Sequence, residues 1–165
     1  MNKLLPILAL LLATPIFAAE EAIHVQVAAR YEGVDPVYLQ AHIDAPQTNV
    51  VLPKITTRSG KQARLRNAGE FVFSATDIKY LGASLEVSPT IEGNRIKAIG
   101  KSTLCALASP RDKTSTQLAS FKTLDTYLNQ TFPNNKEVAI KLADDIPGTL
   151  YLTFTLLNRE GLPVK

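Results

Sequence analysis

Residues 150–161 read Leu150-Tyr151-Leu152-Thr153-Phe154-Thr155-Leu156-Leu157-Asn158-Arg159-Glu160-Gly161. Leu150, Leu152, Phe154 and Leu156 fall on one face of an extended chain and Tyr151, Thr153 and Thr155 on the other. That period of two is the mark of a strand with one buried face, and Asn158-Arg159-Glu160-Gly161 closes it as a turn. The same period runs through the preceding chain. Ile23, Val25 and Val27 alternate with His24, Gln26 and Ala28. Leu85 and Val87 alternate with Glu86 and Ser88, and Pro89 ends or edges that strand. Gly93-Asn94 then supplies a tight hairpin turn into Arg95-Ile96-Lys97-Ala98-Ile99.

Two further hairpins are expected. Ile55-Thr56-Thr57 and Ala63 with Leu65 flank Ser59-Gly60, with Arg58, Lys61 and Arg64 pointing outward. Leu124, Thr126, Leu128 and Phe132 share one parity, and Pro133-Asn134-Asn135-Lys136 turns them into Val138, Ile140 and Leu142. Phe71 and Phe73 fall on one face of a strand of their own. Only residues 36–43 read as a helix, with Asp35 as N-cap and Pro36 at its first position. Residues 109–120 are polar and carry Pro110, Asp112 and several Ser and Thr, the composition of a long loop. The predicted fold is mainly β, with antiparallel sheets arranged as a sandwich and one or two short helices.

Outside the strands, the first residues stand apart. Lys3 charges the N-terminus, residues 4–12 are largely apolar, Thr14-Pro15 breaks the run, and Ala18-Ala19 offers a small-residue cleavage site. This order is that of a secretory signal peptide over residues 1–19, and its core is shorter than the roughly 20 apolar residues a membrane-spanning helix needs. Residues 20–165 then form a single domain. The 165-residue length suits one domain and excludes a large multi-domain enzyme. The +3 formal charge, Lys+Arg 18 against Asp+Glu 15, is spread along the chain and does not point to nucleic acid. A single Cys excludes a disulfide framework.

No group of residues carries recognisable chemistry. His24 and His42 are the only histidines, and neither lies at ligand spacing from Cys105 or a carboxylate pair, whereas zinc takes three or four such ligands. Cys105 sits between Leu104 and Ala106, where a free thiol behaves as a small hydrophobe; in an oxidising compartment it could alternatively pair between chains. Asp144 and Asp145 are adjacent and would point to opposite sides of an extended chain, so they do not make an acid–base pair. Solvated loop carboxylates, with weak calcium binding as the alternative, is their reading. Ser59-Gly60-Lys61 has no preceding glycine at phosphate-loop spacing, and no Gly-x-Ser-x-Gly elbow exists. No catalytic, cofactor-binding or metal-binding residue is therefore assigned, and no cofactor.

One resemblance is informative. The run Asn49-Val50-Val51-Leu52-Pro53-Lys54-Ile55-Thr56-Thr57-Arg58-Ser59-Gly60-Lys61-Gln62-Ala63-Arg64-Leu65 resembles the segment that opens the C-terminal domain of bacterial secretins, with Lys54 and Ile55 where the family has Arg and Val. Gly82-Ala83-Ser84-Leu85-Glu86-Val87-Ser88-Pro89-Thr90-Ile91 is similar to the family's Gly-x-x-Leu-x-Val-x-Pro-x-Ile strand, Glu137-Val138-Ala139-Ile140 to a later strand, and residues 150–164 to its closing strand and polar turn. The strand over residues 23–34 resembles the one that precedes them. The matches occur in the family's order and cover most of residues 49–165. Residues 141–148 stand where secretins insert the long gate segment, of which Ile146-Pro147-Gly148 is at most a remnant, and the family's large N-terminal periplasmic modules are missing as well.

The resemblance implies a reduced secretin-like β domain in an envelope setting. It implies a non-enzymatic protein of the periplasm, associated with the outer membrane through assembly, that works by contact with itself or with envelope proteins and is linked to secretion or pilus machinery. One alternative is an oligomeric outer-membrane mini-secretin, which needs strands of about 9–11 residues with a lipid-facing apolar band; Leu150 to Leu157 nearly reaches that length, but Glu86, Lys97 and Lys141 are expected to interrupt the others. The other is a periplasmic hydrolase or ligand-binding domain, which the missing nucleophile and base disfavour. In the first reading Tyr151, Thr153 and Thr155 offer a mixed surface beside an open strand edge.

Overall fold

The computed structural model describes residues 21–39, 48–74, 77–108, 120–142 and 146–164. The leader, His42, residues 109–119 of the polar loop, Asp144 and Asp145 lie outside them. Nine strands are described: β1 (His24–Glu32), β2 (Val50–Val51), β3 (Ile55–Arg58), β4 (Ala63–Ser74), β5 (Asp77–Glu92), β6 (Arg95–Leu107), β7 (Phe121–Pro133), β8 (Glu137–Lys141) and β9 (Thr149–Leu157). They form two antiparallel sheets. In the first, β9 lies between β1 and β8, and β2 and β3 share the other side of β1. The second is a meander in the order β4-β5-β6-β7.

The alternation read from the sequence decides which face of each strand is covered. Val25, Val27, Ala29 and Tyr31 of β1 and Leu150, Leu152, Phe154 and Leu156 of β9 are buried, and they share one core with Leu65, Leu85, Val87, Ile96, Leu104, Leu128 and Phe132 of the second sheet. Phe132 and Phe154 pack with ring centroids 4.7 Å apart at 46°, within the range of favourable tilted aromatic pairs. A buried polar link also joins the layers. Tyr31 reaches from β1 into the second sheet, where its hydroxyl lies 2.8 Å from Ser102 Oγ and donates or accepts there, 3.2 Å from the Ser84 carbonyl.

Two expected hairpins are corners instead. The turn at Ser59-Gly60 exists, with Lys61 N–H donating to the Arg58 carbonyl at 3.0 Å, but β3 pairs with β1 while β4 pairs with β5. The Pro133–Lys136 turn likewise carries the chain from β7, paired with β6, to β8, paired with β9. Turn chemistry is the same for a hairpin and for a corner between layers; the sheet that buries the apolar face makes the choice. The Gly93-Asn94 hairpin stands as expected, with Glu92 opposite Arg95 and Gly93 at φ 62.

Other expectations change in extent. The helix over 36–43 is a single 3₁₀ turn, Pro36–Tyr38, in which Asp35 Oδ1 accepts from Val37 N–H at 3.0 Å; residues 40–43 lie outside the described chain. Phe71 and Phe73 belong to β4 rather than to a separate strand. Pro89 does not end β5, which continues to Glu92 opposite Arg95. It sits past Val87, the last β5 residue paired with β4, so its missing N–H faces the side where the ladder has already stopped. There the Ser59-Gly60 corner docks instead: Gly60 N–H donates to the Pro89 carbonyl at 2.7 Å and Ile91 N–H to Ser59 Oγ at 2.9 Å.

Glu86 and Lys97 leave the ladders of their strands continuous and break the apolar band of the outward face. β4, β5, β6 and β7 run 12, 16, 13 and 13 residues, because both charged residues lie on the face turned away from the core. Close contact along this sheet depends on Gly100, where an added Cβ would fall 2.2 Å from the Glu86 carbonyl oxygen and 2.7 Å from Val87 Cα.

Candidate interaction surfaces

The outward residues of β1 and β9 lie side by side in register: Gln26 opposite Thr155, Ala28 opposite Thr153, Arg30 opposite Tyr151. They floor a shallow cavity of about 380 Å³, walled by Val51, Leu52 and Lys54 on one flank and Asn135 and Glu137 on the other. Arg30 organises this face. Its Nε and Nη2 donate to the two Glu137 carboxylate oxygens, each at 2.8 Å, its Nη1 donates to Glu32, and its guanidinium lies 4.0 Å from the Tyr151 ring centroid. The hydrogen bonds from Arg30 lower the Glu137 pKa, and those to Glu137 raise that of Arg30. The group is solvent-exposed, so it orients side chains more than it stabilises the fold; it ties β8 to β1 across β9.

This arrangement corrects the role expected of Tyr151, Thr153 and Thr155. They lie on β9, which is hydrogen-bonded on both sides, so no strand can add beside them. They serve as the floor of the cavity.

The second sheet presents a different outer face. Its ladder aligns Arg64, Glu86, Lys101 and Tyr127 in one row across β4 to β7, and Arg66, Ser84, Thr103 and Asp125 in the next. Arg64 Nε lies 3.1 Å and Arg66 Nη2 3.7 Å from Glu86 Oε1, while Lys101 Nζ lies 3.3 Å from Asp125 Oδ2 and Thr103 Oγ1 donates to Asp125 Oδ1 at 2.7 Å. Charge therefore alternates in sign across the sheet, basic on β4, acidic on β5, basic on β6, acidic on β7. The Arg66 guanidinium also covers Tyr80, 4.2 Å from its centroid. A second hollow of about 280 Å³ opens over Ser84, Thr103, Cys105 and Thr123.

The edges of this sheet are long. Among the described residues, no strand pairs with the outer side of β4 or of β7. Soluble sheets commonly blunt such edges with proline, bulges or short strands. Here the β4–β5 ladder is irregular only between Val72 and Ser74, and Pro133 is the last residue of β7; between those points both edges are regular and free of proline.

The remaining residues singled out from the sequence are scattered. His24 opens β1 opposite Leu157 and Arg58. Cys105 is buried, but on the outer side of β6, where Thr123 Oγ1 donates to its sulfur at 3.7 Å, while Leu104 and Ala106 enter the core. Ser59-Gly60-Lys61 forms the corner described above. Among the described residues, no three His, Cys, Asp or Glu side chains lie close enough to hold a metal ion, and no helix is long and apolar enough to cross a membrane. The Arg30–Glu137 group joins residues 107 apart in the chain and was not legible in the sequence, where parity places both residues outward without making them neighbours.

No protein-family model and no curated protein matches the sequence. Solved structures match the fold. The type II secretion system secretin GspD of E. coli K12 superposes with a TM-score of 0.52 at 11% identity, over 84% of this chain and 50% of that one. ExeD of Aeromonas hydrophila superposes with a TM-score of 0.51 at 12% identity, over 84% of this chain and 48% of that one. The chain thus spans about half the length of each. The segments whose sequence resembles secretins fall on β2, β3 and the start of β4, on β5, on β8 and on β9, and the superposed backbones show that this chain carries a secretin-like β fold.

Proposed function

We propose that this chain is a non-enzymatic protein of the cell envelope, exported by its first 19 residues, that works through protein–protein assembly. The observation that carries this reading is the pair of regular edges, β4 with 12 residues and β7 with 13, that among the described residues no strand covers, on a sheet whose apolar face is already buried. A strand edge is a row of unpaired N–H and C=O groups and accepts another strand at no cost in side-chain burial. The secretin-like fold supports an envelope setting and a link to secretion machinery. Leader cleavage is expected to release a domain beginning near Glu20 into the periplasm.

A second reading, a reduced outer-membrane pore, is favoured by one feature. All four strands of the second sheet exceed the roughly 9–11 residues that span a bilayer as a tilted strand. Against a lipid-facing role for their middle stand Arg64, Arg66, Glu86, Lys101 and Asp125 on the outer face, since a basic side chain at the bilayer midplane costs about 2–4 kcal/mol.

The test is to extract the exported chain without detergent and measure its mass by sedimentation. Assemblies in the aqueous fraction support the first reading. A detergent-dependent ring replaces it with the second, and a monomer at every concentration overturns the second and confines the first to assembly with other envelope proteins.

A further inference from the structure

We infer that the outer face of the first sheet is a binding site for an acidic saccharide, with the sugar hydroxyls on the amide and threonine side chains of its floor and the carboxylate or phosphate on Lys54, Arg95 and Lys136. The site is independent of the assembly reading. Two adjoining hollows form it. The cavity floored by β1 and β9 meets a wider one of about 680 Å³, set between the Gly93-Asn94 hairpin and the Pro133–Lys136 corner, and Asn135 and Pro163 line both.

Charge sets the sign of the ligand. Lys54 lines the first hollow, and Arg95 and Lys136 line the second; among the described residues none of the three is ion-paired. The one carboxylate that lines either hollow is Glu137, and both its oxygens already accept from Arg30. A cation therefore finds no free carboxylate along this trough. An anion finds an ammonium at one end and an ammonium and a guanidinium at the other, the donors that make the stronger, charge-assisted hydrogen bonds.

The neutral groups set its class. Asn135, where the hollows meet, is held in place: its backbone takes φ 54, its N–H donates to the Phe154 carbonyl at 2.8 Å, and its Oδ1 accepts from Thr155 Oγ1 at 3.3 Å. Its Nδ2 is left as a positioned donor. Gln26 and Thr153 lie on the floor of the first hollow with no side-chain hydrogen bond to another described residue. Amides and hydroxyls both donate and accept, which matches the hydroxyls of a sugar ring, whereas a bare anion uses donors alone. Ala28, the small residue between Gln26 and Arg30 in the floor, leaves room for the apolar face of such a ring, the mix of apolar lining and a few placed polar groups usual in ligand sites. A peptide strand is disfavoured here, because β1 and β9 are each paired on both sides and offer no backbone edge.

The experiment titrates the full exported chain, labelled with nitrogen-15, with a galacturonic acid trimer, its methyl-esterified neutral counterpart, glucose 6-phosphate and inorganic phosphate. The acidic trimer or the sugar phosphate should shift the amide resonances of Ala28, Asn135 and Thr153 and leave Leu85 and Leu104 unmoved; whichever binds more tightly identifies the anionic group as carboxylate or phosphate. Lys54→Glu should weaken that binding roughly threefold or more, and Arg95→Glu with Lys136→Glu about tenfold. Asn135→Gly keeps the left-handed backbone available while removing the amide, so it should weaken the saccharides about threefold or more with an unchanged circular dichroism spectrum. Inorganic phosphate binding as tightly as the sugar ligands overturns the saccharide assignment and leaves an anion site only. Equal binding of the esterified trimer overturns the role of the three cations. No shift with any probe at about 10 mM, weaker than any specific site, or shifts that none of the variants alters, overturns the site altogether, and none of these results bears on assembly.

Discussion

Removing the hydroxyl of Tyr31 tests a buried polar link between the layers. In Tyr31→Phe the ring still fills its place, but Ser102 Oγ, on a residue 1% exposed, loses its partner, while the Ser84 carbonyl loses only a contact added to its place in the β4–β5–β6 ladder. A buried polar group left unsatisfied costs about 1–3 kcal/mol, so Tyr31→Phe should destabilise by about 2 kcal/mol. Ser102→Ala leaves the Tyr31 hydroxyl its 3.2 Å contact with Ser84 and should cost about 1 kcal/mol. In the double variant Ser102 Oγ is no longer orphaned, so the loss should fall short of the sum by about 0.5–1.5 kcal/mol, within the range of coupling measured between residues in contact. The assay is urea unfolding followed by far-UV circular dichroism, with equal m-values confirming that all four proteins unfold from comparable states. Additivity within about 0.3 kcal/mol, or a neutral Tyr31→Phe, would refute the inter-sheet bond as a source of stability.

Burial pushes the Tyr31 phenol up to about 12 from an ordinary 10, its bond to Ser102 acting in the opposite direction. With the folded value above the unfolded one, the stabilisation is fully present below pH about 10 and is lost as pH rises towards 12. The gap in unfolding free energy between wild type and Tyr31→Phe should therefore shrink across that window, and a gap unchanged from pH 9 to 12 would contradict it. Gly100→Ala should be strongly destabilising, by at least about 3 kcal/mol, because the new Cβ meets backbone atoms 2.2 and 2.7 Å away on β5; a thermal midpoint within 2 °C of wild type would show that the strands can part. Glu137→Gln should weaken the hold of Arg30 on β8 and speed hydrogen exchange at Val138 and Ile140 while leaving β5 and β6 unchanged. Since Arg30 lowers the Glu137 pKa, the wild-type advantage in exchange should be present above the ordinary carboxylate value and fade as pH falls through the lowered one; equal protection in both proteins at neutral pH would dismiss the bridge.

Much of this molecule is local and was therefore readable. Alternation assigned the buried faces of residues 23–27, 85–87, 124–132 and 150–156 correctly, because side chains on a strand point to opposite sides whatever the partner strand. Gly93 marked its hairpin because only glycine takes φ 62 without cost. Asp35 and Pro36 marked a helical start, though the described chain completes only one 3₁₀ turn.

The pairing of strands was decided in three dimensions. Nothing in Arg58-Ser59-Gly60-Lys61 or in Pro133-Asn134-Asn135-Lys136 distinguishes a hairpin from a step between layers. That choice was made by the fit of Leu65 and Phe132 against distant apolar faces. The same holds for the surfaces. Arg30 finds Glu137, and Tyr31 finds Ser102, across 107 and 71 residues, distances over which a single sequence carries no record of contact. Charged residues that read as interruptions, Glu86 and Lys97, are the outward half of strands whose inward half is buried. Period and turn chemistry thus determined that the chain is β and which faces are apolar; the packing of two sheets determined which strands pair and, among the described residues, which edges have no partner.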